Sequence, residues 1–346
     1  MKIKTLLLTL LLAVSKLAAQ NQPYRPFQIS FVYPLGTNGL SAKEYSNGVS
    51  LNLLAGLSKN DKYLSLAGLS NIITNNATGM QLAGITNYIG GIGTGCAIAG
   101  ISNITFSSYR GFQLSGIFSI SGSGSKGFML GGIANYTKGN FDGMQLAGIA
   151  NIAGDVHGLQ FAGIINKAKK VKGVQFAGIL NIAEESDIPI GLVNIIKKGE
   201  LGLALTYDLS GNTMVSFRSG GKYTYGILGI GVNHNMTKNK GVAECGYGIH
   251  IPVTKWFRID NEFKGHTSLV TTETDKSNYH LGYLLAPSFK MWNHFNIFGG
   301  ASINYLYSDS NISESIAPRR TLWSKTSEAN EQHMYIGYEV GVQYIF

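Results

Sequence analysis

The triplet His266-Thr267-Ser268 sets an imidazole and a hydroxyl two residues apart. On a β-strand such residues share a face, where the histidine could take the serine proton and turn the hydroxyl into a nucleophile toward an ester or amide. A second acid–base pairing would join Asp260 to His250 or to His280 and activate a water molecule. Both patterns fit a hydrolase acting on lipid or peptide. Both also fit ordinary polar residues where a strand meets a loop, and nothing in the spacing forces the groups together. The seven histidines are dispersed, without His-x-x-x-His or Cys-x-x-Cys spacing, so the sequence assigns no metal ligands. Gly-x-Gly runs such as Gly229-Ile-Gly231 lack the helix that a phosphate-binding loop requires. Cys96 and Cys245 stand far apart; each reads as a small filler residue, with pairing in an oxidising compartment as the alternative. No catalytic, cofactor-binding or metal-binding residue is assigned, and the reading is non-enzymatic.

The elements that would position these groups announce themselves by repetition. Gly79-Met-Gln-Leu-Ala-Gly-Ile-Thr-Asn87 recurs with variation from Gly95, Gly111, Gly127, Gly143, Gly158 and Gly173, every 15 to 16 residues, across roughly residues 64–200. Each unit has the period of two that a strand requires. Met144, Leu146, Gly148, Ala150 and Ile152 fall on one side, and Gln145, Ala147, Ile149, Asn151 and Ala153 on the other. An apolar face backed by a small, amide-rich one is the alternation of a transmembrane barrel, and an 11-residue strand tilted near 40° spans about 28 Å. Small inner residues such as Ala147, Ala162 and Ala177 suggest an open lumen.

Two arrangements of the repeats compete. In an antiparallel meander the glutamine of one repeat faces the asparagine of the next. In a parallel solenoid, like faces like. Pairing the units about their central glycines gathers an all-amide row that includes Gln81, Asn103, Gln113, Asn135, Gln145 and Asn166, and this favours the meander.

From about Leu201 the repeat ends but alternation continues. The final segment sets Met334, Ile336, Tyr338, Val340, Val342, Tyr344 and Phe346 against Tyr335, Gly337, Glu339, Gly341 and Gln343. An aromatic-ended closing strand is the form read by barrel-assembly machinery, a partner expected to engage the strand ending at Phe346. Tight links near Gly220–Lys222, Pro252–Lys255 and Trp292–His294 alternate with longer polar links at Asn233–Lys240, Thr267–Asn278 and Ser308–His333, as periplasmic turns alternate with extracellular loops. Arg258, Asp260, Glu262 and Lys264 share one strand face, which lipid would penalise; an interior ion-pair network is expected there, with a substrate path as the alternative. The long loop 308–333, with Trp323 and Arg319–Arg320, is the candidate surface for an extracellular ligand.

Lys2 and Lys4, the apolar run Leu6–Val14 and small residues at Ala18 and Ala19 read as a secretory signal peptide over residues 1–20. The remainder, 21–346, reads as one barrel, with 64–200 as its repeat region and 201–346 as its other strands. Its 45 glycines, 18 tyrosines and 16 phenylalanines point to strands and turns, and 14% charge is low against about 25% for ordinary domains. The net charge of +9 falls to +6 without Lys2, Lys4 and Lys16, and no basic cluster or base-stacking platform implies a nucleic-acid partner.

The units Gly158-Leu-Gln-Phe-Ala-Gly-Ile-Ile-Asn166 and Gly173-Val-Gln-Phe-Ala-Gly-Ile-Leu-Asn181 resemble a family of bacterial surface-repeat proteins of Gram-negative envelopes. The resemblance implies outer-membrane or surface placement and carries no assigned activity or site residues. Together these readings predict an all-β fold: an antiparallel transmembrane barrel of about 16–18 strands in the cell outer membrane, surrounded by lipid, without a cofactor, serving a structural, pore or surface-interaction role. The alternative architecture is a parallel β-solenoid followed by an eight-stranded barrel. The alternative functions are an outer-membrane hydrolase and a surface adhesin or binding module.

Overall fold

A computed structural model describes residues 23–236, 241–269, 279–309, 321–327 and 330–346. The fold is all-β; among the described residues the helical structure is one 3-10 segment, Gly39–Glu44. The chain forms two compact units, one containing residues 23–148 with 152–154 and the other 149–151 with 155–346.

The first unit is a parallel coil, which overturns the meander. Ala77–Ala83 pairs in parallel with Gly93–Ala99, then Tyr109–Ser115, Ser125–Gly131 and Phe141–Ala147 follow in turn. The opposite wall stacks Ser70–Ile73, Thr86–Ile89, Ser102–Thr105, Phe118–Ser121 and Ala134–Thr137 in the same way. The parallel order begins ahead of the repeat, where Tyr24–Val32 pairs with Ser46–Ser58. Each unit is therefore two short strands joined at a corner, not one 11-residue strand. The corner is the Gly-Ile step: Ile85, Ile101, Ile117 and Ile133 point outward and are exposed, although strict alternation would have turned them inward.

Asparagine explains why the parallel register wins. Asn71, Asn87 and Asn103 are buried in one column, and each side-chain amide donates to the next side-chain carbonyl at 2.9 Å. The Asn87 amide also meets the backbone carbonyls of Gln81 and Ile98, at 3.2 and 2.9 Å, tying the two walls together. A buried amide left unpaired costs about 1–3 kcal/mol, and in-register stacking satisfies these three asparagines, the amide of the third donating to the backbone carbonyls of Ala97 and Leu114 where Ser119 takes the next place. Ala97 and Met129 interrupt the glutamine column opposite, where Gln145 Nε2 donates to Thr137 Oγ1 at 3.1 Å and meets Met129 Sδ at 3.6 Å. At the N-terminal end, the buried Asp61 carboxylate accepts from Ser50, Ser65 and Asn47. Burial dominates those contacts and raises its pKa above the ordinary aspartate value.

The second unit opens with a parallel coil of the same kind, with Asp155–Ala162, Lys170–Ala177 and Glu185–Ile190 on one wall and Ile165–Lys167, Leu180–Ala183 and Val193–Ile196 on the other. Asn151, Asn166, Asn181 and Asn194 form the same amide column at 2.8–3.0 Å. The column ends on a barrel: Asn194 Nδ2 donates to the Ser219 carbonyl at 3.2 Å, and Thr224 Oγ1 donates to the Pro189 carbonyl at 2.8 Å.

That barrel has eight antiparallel strands: Glu200–Asp208, Asn212–Gly220, Thr224–Asn233, Gly241–Pro252, Phe257–Ser268, Tyr279–Trp292, Phe295–Asp309 and Asn330–Ile345. It closes where the first strand pairs with the last, from Gly202 opposite Ile345 to Asp208 opposite Glu339. A short strand, Trp323–Thr326, pairs with the last strand at Glu331–Met334. The barrel thus holds eight strands, not 16–18, because the parallel repeats contribute none; the solenoid-plus-barrel alternative describes the architecture. The tight links expected around residues 220, 252 and 292 join strands at one end. Parts of the three longer links (237–240, 270–278, 310–320 and 328–329) lie outside the described residues.

Candidate functional site in the barrel interior

Period two sorts the barrel residues into two environments. Outward positions are apolar: Leu203, Leu205, Val215, Leu228, Ile230, Phe263, Leu281, Leu285, Ile297, Ile303, Val340 and Val342 are all exposed. Arg218, Glu244, Asp260, Glu262, Lys264 and Glu339 point inward and are buried. The charged face expected on the fifth strand is therefore an interior ion-pair network.

Its centre joins four strands. Arg218 Nη1 lies 2.7 Å from Glu262 Oε1, which also accepts from the Tyr225 hydroxyl at 2.6 Å. Lys264 Nζ donates to both oxygens of Glu339, at 2.5 and 2.6 Å, and stands 3.2 Å from Glu262. Toward the turn end, Arg258 grips Glu200 through two nitrogens, at 2.7 and 3.0 Å, and its Nε lies 3.0 Å from Asp260. Phe298 packs under the Arg218 guanidinium at 4.3 Å. With Met214, Leu284 and Tyr335 also fully buried, side chains fill this interior, as they do in barrels of eight strands. Ala147, Ala162 and Ala177, which suggested a lumen, are buried inside the coils and line no channel wall.

Toward the opposite end runs a chain of hydrogen bonds. Ser216 Oγ donates to Glu244 Oε1 at 2.5 Å, and Glu244 Oε2 lies 2.7 Å from His266 Nε2. His266 Nδ1 meets His280 Nδ1 at 3.0 Å, and His280 Nε2 meets the Tyr335 hydroxyl at 2.9 Å. The Ser210 hydroxyl ends the chain, 2.5 Å from that of Tyr335. Asp208 approaches the two histidines, and one potential ligand atom from each of the three residues lies within 4.8 Å of the other two.

These positions test the dyads read from sequence. His266 and Ser268 do share the inward face, but both imidazole nitrogens of His266 are committed, to Glu244 and His280, and neither serves the serine. Asp260 does meet His250, with Oδ1 2.7 Å from Nδ1 across the strand pair. That pair is enclosed beside Arg258 and under the Tyr225 ring, which stacks on His250 at 4.2 Å. His280 is engaged with His266 and Tyr335 instead. Cys96 and Cys245 are free thiols. Trp323 is exposed on its short strand, while Arg319 and Arg320 lie outside the described residues.

The histidine pair escaped a search for local spacing because its members sit on different strands, directly opposite in register. One signal was available: both are inward by parity in strands joined by a hairpin, and they lie at similar distances from its middle. Comparison with family models, with curated proteins and with solved structures finds no match to this chain.

Proposed function

We propose that this chain is a non-enzymatic outer-membrane protein of a Gram-negative envelope, in which the eight-stranded barrel is the anchor and the amide-cored coil is a rigid structural or surface-interaction element. One observation carries the reading: the outward positions of the barrel strands are apolar and exposed while the charges face in. In water that partition would leave a continuous apolar belt uncovered, far beyond the few hundred Å² usual for soluble monomers. In hydrocarbon it is the stable arrangement. Aromatic clusters at the turn end support it: Trp256, Phe257 and Phe289 form one, and Trp292, Phe295, Tyr344 and Phe346 another, as in an interfacial girdle. The likeness of the repeats to surface-repeat proteins agrees; lipid is the partner that the apolar belt implies, and barrel-assembly machinery the partner implied by the closing strand that ends at Phe346.

The test pairs localisation with one substitution. The wild-type protein is expected to fractionate with the outer membrane, resist carbonate extraction and migrate as a heat-modifiable band. Val340→Arg, which aims a charge outward from mid-strand, should destabilise the folded barrel in lipid by about 2–4 kcal/mol. A detergent-free soluble monomer from the periplasm, or a Val340→Arg barrel as stable as wild type, overturns the proposal.

A further inference from the structure

We propose that Asp208, His266 and His280 form a binding site for one divalent transition-metal cation of the zinc class inside the barrel. This inference rests on the interior geometry and stands whether or not the barrel lies in a membrane.

The bite comes first. Two imidazole nitrogens sharing a tetrahedral Zn²⁺ at about 2.05 Å lie about 3.3 Å apart. His266 Nδ1 and His280 Nδ1 are 3.0 Å apart, fixed by the direct opposition of their two strands. The third donor arrives from across the barrel seam. The carboxylate of Asp208 is steered by the backbone N–H and the side-chain amide of Asn212, at 3.0 and 2.8 Å, and it keeps lone pairs for a cation. Two nitrogens and one carboxylate oxygen select zinc-class ions over Mg²⁺ and Ca²⁺, which prefer oxygen throughout.

The outer shell agrees. A metal-ligating histidine hands its other ring nitrogen to a carboxylate or another polar group that fixes its orientation. Here His266 Nε2 is held by Glu244 at 2.7 Å and His280 Nε2 by the Tyr335 hydroxyl at 2.9 Å, which leaves the two Nδ1 atoms facing each other across 3.0 Å. In neutral imidazoles without the cation, His266 carries its proton on Nε2 and His280 on Nδ1. Binding moves the His280 proton to Nε2, where Tyr335 accepts it while its own hydroxyl turns to Ser210, so no proton need leave.

Charge and space complete the case. The network contains six carboxylates (Glu200, Asp208, Glu244, Asp260, Glu262 and Glu339) against three permanent cations, Arg218, Arg258 and Lys264. Four of the six are buried and Glu200 and Asp208 are half-buried, so carboxylates outnumber permanent cations in this interior and a divalent ion would offset the difference. The cavity beside the histidines, lined also by Asp208, Lys264 and Glu339, has about 10 Å³ of free space, about the room of one small occupant such as a single cation. Lys264 does not oppose the cation strongly, because Glu339 and Glu262 already hold its ammonium.

The experiment uses the untagged full chain, stripped with chelator, in detergent. Titrated Zn²⁺ is expected to bind at one per chain by elemental analysis. His266→Ala and His280→Ala should each weaken binding at least 100-fold and Tyr335→Phe by about 10-fold. His250→Gln, altering a histidine paired elsewhere with Asp260, should leave it unchanged. Co²⁺ bound to the unmodified chain should give the intense visible bands of four- or five-coordination, a readout independent of whether the variants fold. Less than stoichiometric Zn²⁺, full affinity in folded His280→Ala, equal affinity for Mg²⁺, or a weak octahedral Co²⁺ spectrum would each overturn the site.

Discussion

Asp61 shows how one residue sets a pH dependence in this protein. Three side chains donate to its carboxylate, yet removal from water outweighs them and raises its pKa in the folded state. A raised folded value means that the protonated form is favoured by folding. Its stabilising contribution is complete below the unfolded value, about 3.9, and is lost as pH rises through the folded value. Asp61→Asn, which removes the charge and keeps an acceptor, is expected to raise the melting temperature of the coil at neutral pH and to match wild type near pH 3. Thermal unfolding followed by circular dichroism at the two pH values checks this; an equal shift at both would show that charge is not the cause. The residue scale was the least legible from sequence. Asp61 lies at the margin of the recognised repeat, where no periodic signal marks it as buried. In the sequence His266 stands out for the hydroxyl two residues away, whereas its partners, Glu244 and His280, arrive from neighbouring strands.

The element that most constrains its sequence is the repeat strand. Gly111 adopts φ +132°, and a Cβ built there would stand 2.0 Å from the carbonyl oxygen of Gly95 one coil earlier. A side chain at that position fails twice, on backbone conformation and on space. Gly111→Ala is expected to open the coil locally by several kcal/mol, within the range of strained backbone plus overpacking. Hydrogen exchange should show lost protection in residues 93–131 with the barrel unaffected; unchanged protection there would contradict the close approach. The glycines were visible as a period, and their inward and outward neighbours were assigned correctly up to Gly148. Past it Ile149 departs, turned outward by the corner while Asn151 still points inward and Ile152 outward, because a Gly-Ile bend and a continued strand leave the same trace in a string of letters.

For the whole molecule, the decisive quantity is what fills the barrel. Eight strands leave an interior wide enough for side chains, and here Arg218, Tyr225, Met214, Phe298 and Tyr335 occupy it with the ion pairs. Refolded protein is therefore expected to be silent in planar bilayers. Stepwise single-channel conductance at low voltage, in protein shown to be folded, would restore the pore reading that the small coil residues had suggested.

The sequence by itself determined the all-β class, the repeat and its period, the alternation of the last eight strands and the confinement of charge to one face of the strand at Phe257–Ser268. These are local properties, written in residue types at fixed spacing along one strand. Only the tertiary structure decided which strands are neighbours. Parallel and antiparallel stacking make the same demands on a strand's own faces and differ in which amide meets which. That choice followed from the asparagine columns of the coils, and with it came the eight-stranded barrel and the meeting of Asp208, His266 and His280. Contacts between residues 14 to 72 positions apart leave no mark on local spacing, because closing a ring of strands, rather than the run of any one of them, brings such groups together.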